Sequence, residues 1–248
     1  MKPVHFLYFF LVLVSCKNDA SKLTKITAKT IAIDSSIAQS TKIVRLIAPY
    51  KEKLIGEMET VLSYTPKAIT KKSVGMQSAL GNLMADMCFE MSAALFAEKT
   101  NAEIDFAMFN NGGLRANIAA GAVTKEEAFK LMPFENELVV VELSAKKVVA
   151  LVQYFIANKK AHPLSKNIGL RIKATEFQLH INGKKFDTNK TYNVLTSDYL
   201  LEGGDKMDFF KNPEKITRLD YKVRAAVLHY FEKVDTLKTA IDTRVILE

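Results

Sequence analysis

The chain has 248 residues, enough for one large domain or two small ones with a core of real size. A composition of 48% hydrophobic and 25% charged residues, with Gly 10 and Pro 6, excludes collagen, coiled coil and wholesale disorder. Lys+Arg 35 against Asp+Glu 27 leave a net charge of +8, which favours anionic partners such as nucleotides, nucleic acid or an acidic membrane surface without choosing among them.

In chain order, Lys2 is a short positive region and Phe6 to Val14 an apolar stretch too short to span a bilayer as a stable helix. It ends in Leu13-Val14-Ser15-Cys16, which resembles the lipobox of bacterial lipoproteins, where a peptidase cuts before the cysteine and a lipid joins its sulfur. The expectation is a signal peptide over 1–15, lipidation at Cys16, a polar tether over 16–24 and a single domain over 25–248. Cys88, the other cysteine, lies within a helical pattern and reads as a buried, inert thiol.

Leu23 to Ile33 reads as a strand. Ile37 to Val61 has helical apolar spacing, with Pro49 breaking or kinking it. Ser78 to Ala97 reads as an amphipathic helix. Ile104 to Phe109 reads as a short buried strand running into Asn110-Asn111-Gly112-Gly113. Thr124-Lys125-Glu126-Glu127 has the form of a capping box. Leu138 to Val141 is a core strand, and Ser144 can cap the helix that follows. Ile168 to Lys173 and Glu176 to Ile181 read as strands, with Asn182-Gly183 a hairpin turn into Lys184-Phe186. Strand Tyr192 to Thr196, a Gly203-Gly204 loop, a helix from about Tyr221 to Val234 and a last strand Val245 to Leu247 complete the chain. Without regular βαβ spacing, this order suggests an α/β fold of α+β type, with layered helices on mixed β-sheets.

His5 falls in the signal segment; His162, His180 and His229 stand far apart. A two-metal hydrolase needs several His and carboxylate ligands converging on ions about 3.5–4 Å apart. No such cluster, and no nucleophile elbow, phosphate loop or dinucleotide fingerprint, is present in the sequence. The loops are more informative. Asn110 to Arg115 places Gly112 and Gly113 at a strand end ahead of a guanidinium, whose planar fork suits phosphate or carboxylate. Leu131 to Asn136 puts Phe134 after a proline. Asp198 to Asp205 holds Tyr199 and a carboxylate after paired glycines. Two rings and a carboxylate can hold a purine, with stacking worth about 1–3 kcal/mol per base. Each loop alone is as readily a turn with a surface side chain or a core aromatic.

Together, with Gly81-Asn82-Leu83-Met84-Ala85-Asp86 at a helix start, the loops resemble the C-terminal domain of the 5′-nucleotidase family, from about residue 25 to the end of the chain. The resemblance implies that fold and a substrate-recognition role. Phe134 and Tyr199 correspond to the two stacking rings, and Asn110 and Arg115, with Gly112 and Gly113 between them, to the loop that holds ribose and phosphate. Asp205 corresponds to the ribose carboxylate. Lys71 and Lys72 stand where many members have arginine; lysine supplies charge but not a bidentate fork. Tyr199 stands where a phenylalanine is frequent. Full members also carry a metallophosphoesterase domain with the divalent metals, and no such domain is recognised in this sequence.

The expectation is therefore a nucleotide-recognising domain, the substrate-binding half of a split nucleotide phosphohydrolase in nucleotide salvage or catabolism. It would have no cofactor, metal or catalytic residue of its own and would be inactive alone. Its partners would be a nucleotide or nucleoside, a separate metallophosphoesterase chain and, through Cys16, a membrane of the bacterial cell envelope on its periplasmic or outer face; nucleic acid is not among them. The alternative is an independent nucleotide-binding surface lipoprotein with no enzymatic role.

Overall fold

The computed structural model describes residues 23–248. The expected signal peptide, Cys16 and most of the tether lie outside the described residues. Contacts divide the chain into two units, Met1–Ile47 and Ala48–Glu248.

Residues 23–33 form no strand. A strand needs a neighbour for its backbone N–H and C=O groups and a surface for its apolar side chains. Here Leu23, Ile26, Ile31 and Ile33 all face solvent. Helix α1, Thr41–Met58, continues through Pro49 instead of ending there and buries none of its residues. Among the described residues, no helix is long and apolar enough to cross a membrane.

The unit Ala48–Glu248 is built around a four-stranded mixed sheet. Its strands are β2 (Phe106–Ala107), β8 (Thr191–Ser197), β4 (Glu137–Ser144) and β9 (Lys215–Lys222), in the spatial order β2-β8-β4-β9. β2 runs parallel to β8, while β4 is antiparallel to both β8 and β9. The place of β4 explains why its sequence is apolar at consecutive positions rather than at alternate ones. Leu138 and Val140 enter one core, and Val139, Val141 and Leu143 enter the other, so both faces of the strand are covered.

The first core is closed by helices α2 (Ala79–Thr100), α3 (Lys125–Leu131) and α6 (Val223–Lys233). The second is closed by α4 (Ala145–Asn158) and a further sheet of order β10-β5-β6-β7, made of Val245–Leu247, Ile168–Lys173, Glu176–Ile181 and Lys184–Lys185. A single-turn helix, α5 (Asp198–Leu201), follows β8 directly. Helices thus layer on mixed sheets. The β6–β7 turn is the expected hairpin, with Asn182 at φ 51 and Gly183 at φ 72.

Several local expectations are revised. α2 is capped by Ser78, whose Oγ accepts from Gly81 N at 3.0 Å, but its first two turns are buried nearly all round rather than on one stripe. Thr124 and Ser144 occupy N-cap positions without a side-chain cap hydrogen bond. The expected strand Ile104 to Phe109 shrinks to Phe106–Ala107, beyond which Met108 bridges Leu164. Three strands carry no strong sequence signal: β9, and the antiparallel pair β1 (Val61–Thr65) and β3 (Gly121–Thr124). β9 buries only Leu219 fully, so its alternation is faint. Tyr221 and Lys222 still belong to β9, which delays α6 to Val223.

Candidate functional site

A cleft of about 370 Å³ opens where three loops converge at the end of the central sheet. One follows β2, one follows α3 and enters β4, and one follows β8. All the residues singled out in the loops line it: Asn110, Gly112, Gly113, Arg115, Phe134, Tyr199 and Asp205. Phe134 and Tyr199 are 40% and 44% exposed, so neither ring is absorbed by the core. The apolar floor includes Met84, Leu114, Met132 and Val223.

Asp205 is the polar centre. Asn110 Nδ2 donates to its Oδ2 at 2.8 Å, and the Tyr199 hydroxyl donates to its Oδ1 at 3.0 Å. Its backbone N–H donates back to the Tyr199 oxygen at 3.2 Å, and the Tyr154 hydroxyl donates to its carbonyl at 2.7 Å. Each carboxylate oxygen keeps a further lone pair for a ligand hydroxyl. Asp205 itself sits in the left-handed region at φ 54, a conformation that short polar side chains tolerate best after glycine. Bonding to Asp205 raises the Tyr199 hydroxyl's pKa, because the tyrosine must remain protonated to donate.

The glycines permit close approach. A Cβ on Gly112 would stand 3.2 Å from Asp205 Oδ2, and one on Gly113 would stand 3.0 Å from Asn110 Oδ1. A Cβ on Gly204 would enter the Tyr199 ring. The ring therefore lies against the paired-glycine turn, and a side chain at Gly204 would have to displace it.

In the same cleft, the Arg115 guanidinium carbon lies 5.7 Å from the Phe134 ring centroid, within cation–π range. Lys71, one of the two lysines noted in place of arginine, donates from Nζ to the Leu114 carbonyl at 2.9 Å, and its backbone N–H bonds Asn117 Oδ1 at 3.0 Å. It braces the loop that carries Arg115. The Phe134 and Tyr199 loops are also joined directly: Asn136 Nδ2 donates to Asp198 Oδ1 at 3.0 Å.

Two supporting residues were not legible in sequence as site residues. His162 is buried, and its Nδ1 accepts from the Asn111 backbone N–H at 3.2 Å, fixing the loop from behind. Burial pushes its imidazole down to about 4, so the ring is neutral. Tyr154, on α4, holds the Asp205 backbone from 51 positions away in sequence. By contrast the Gly81–Asp86 stretch acts mainly as scaffold. Asn82 Nδ2 donates to Gln77 Oε1 and to the Ala240 carbonyl, and Asp86 pairs with buried Arg244 at 2.8 Å. Cys88 is buried and its thiol is pushed far up by burial, so it is unreactive. Among the described residues, no group of three His, Cys, Asp or Glu side chains gathers to hold a metal ion.

The model of the 5′-nucleotidase C-terminal domain matches residues 55–212, more than half of the chain and including every loop of the cleft. The chain belongs to that family. Protein UshA of Yersinia enterocolitica is 27% identical over 184 residues, covering 72% of this chain and 32% of its own length. Cell wall protein Lmo0130 of Listeria monocytogenes is 29% identical over 170 residues, covering 62% of this chain and 20% of its own length. The crystal structure of a 5′-nucleotidase precursor from Thermus thermophilus superposes with a TM-score of 0.66 at 18% identity, over 82% of this chain and 42% of that one. This last likeness is one of fold. The chain spans a third or less of the two sequence relatives it matches.

Proposed function

We infer that this domain recognises nucleotides and serves as the substrate-binding half of a 5′-nucleotidase-like phosphohydrolase. The observation that carries the reading is the convergence of two half-exposed rings, a guanidinium and a carboxylate on one cleft of about 370 Å³. Phe134 and Tyr199 offer apolar faces to a heterocycle, for which stacking contributes about 1–3 kcal/mol per base. Asp205, held by Asn110 and Tyr199, accepts from ribose hydroxyls. Arg115 offers its fork to the phosphate, with Gly112 and Gly113 allowing backbone to approach.

Binding and hydrolysis are divided in this reading. The cleft offers groups that hold and orient a nucleotide. Activation of water is left to a separate metallophosphoesterase chain that docks over the Arg115 and Asp205 loops and carries the divalent metals. The chain acts in nucleotide catabolism at the bacterial cell envelope, held there by a lipid on Cys16. The lipobox-like Leu13 to Cys16 stretch supports that placement, as does a cell wall protein among the relatives.

The test is phosphate release from AMP with Mn²⁺, measured for this chain alone and together with a candidate phosphoesterase. Release only with both supports the division. Robust release by this chain alone sinks it, and tight AMP binding that no phosphoesterase alters favours a capture protein instead.

A further inference from the structure

The Phe134 ring is half exposed, yet the loop beneath it is held by three consecutive residues of the β9–α6 junction, none of them in the cleft motifs. Lys222 Nζ donates to the Glu135 carbonyl at 3.0 Å and to Glu137 Oε1 at 2.8 Å. The Val223 N–H donates to the Asn136 carbonyl at 2.9 Å. Arg224 does the most. Its Nη1 donates to the carbonyls of Met132 at 3.3 Å and Phe134 at 3.2 Å, and its Nη2 pairs with the Glu135 carboxylate. The guanidinium lies 4.5 Å over the Phe129 ring of α3, and the side chain is only 14% exposed.

We propose that Arg224 is a positioning residue that fixes Phe134 as a stacking wall of the cleft, and so sets nucleotide affinity without touching the nucleotide. This rests on the nucleotide reading above. The physical argument is one of preorganisation. The loop from Met132 to Asn136 lies outside helix and strand, so its carbonyls need donors from elsewhere. A planar guanidinium satisfies two of those carbonyls and one carboxylate at once while its face stays packed on Phe129. A ring already ordered loses little further entropy when a base arrives. A lysine at the same position keeps the charge but loses both the fork and the stack.

The chain contains no tryptophan, so Phe134→Trp creates a single reporter at the ring. Acrylamide quenching and anisotropy of that reporter are compared with and without Arg224→Gln, with Arg224→Lys as a milder variant should the first fold poorly. About a twofold rise in quenching and a fall in anisotropy are expected for Gln, with a smaller change for Lys. Calorimetry with AMP supplies the second arm. Arg224→Gln should weaken AMP binding roughly fivefold in the otherwise native chain, the lower end of what losing a stacking ring costs. In a Phe134→Ala background it should change nothing further. Unchanged quenching, or the same loss of affinity in both backgrounds, overturns the role of Arg224. AMP binding indifferent to Phe134→Ala overturns the nucleotide reading itself, and the proposal falls with it.

Discussion

The Tyr199 hydroxyl and the Asp205 carboxylate, six positions apart, meet at 3.0 Å, and the Asp205 N–H returns a bond to the same oxygen at 3.2 Å. One side chain thus presents an apolar ring to the cleft and orients the carboxylate beside it. A phenylalanine at this position supplies only the first of those services.

Phe134→Ala and Tyr199→Ala should each weaken AMP binding by about 1–3 kcal/mol, read by calorimetry. Because both rings are half exposed, thermal stability should change little. Loss of folding with either variant, rather than loss of affinity, would place the rings in the core and not at a ligand.

Tyr199→Phe separates stacking from orientation. The ring stays, while Asp205 Oδ1 loses its donor. AMP affinity should fall by less than about tenfold, and affinity for adenine, which has no ribose, should hold. An equal loss for both ligands would mean that Tyr199 acts on the base alone.

His162 predicts an acid-sensitive fold. Its pKa is about 4 in the folded chain, lowered by burial, against about 6.5 in the unfolded chain. As pH falls through that window the unfolded state takes up a proton and the native state does not, so stability is complete above about pH 6.5 and declines toward about pH 4. Protonating Nδ1 also ends its bond from the Asn111 N–H. Urea unfolding across that window should show a decline that His162→Gln flattens. Parallel declines in the two proteins would remove His162 as the cause.

Arg244 is 5% exposed and bridges Asp86 on α2 and Asp242 near the C-terminus, at 2.8 Å and 2.7 Å. Removing one partner of a buried ion pair leaves charge uncompensated. Arg244→Met should cost about 3 kcal/mol in chemical denaturation, at the low end because both carboxylates keep some contact with water. AMP affinity of the folded fraction should be unchanged, since none of these residues lines the cleft.

Much of this protein was readable from local pattern. The strands β5 and β6, the Asn182-Gly183 turn and the helix beginning at Ser78 depend on neighbours in sequence, and each stands in the fold. So do the three loops, whose glycines and rings line one cleft. What sequence could not decide is who stands beside whom. Leu23 to Ile33 has strand-like residues and no partner strand, so it forms none and its side chains face solvent. β9 is a poor strand by its own pattern and becomes one because it pairs antiparallel along β4. His162, Tyr154 and Arg224 sit 51, 51 and 90 positions from loop atoms they hold, and no local spacing encodes such distances. Hydrogen-bond geometry is satisfied in space, so the side chains lining the cleft were legible residue by residue while the bonds that hold their loops belong to the folded chain alone.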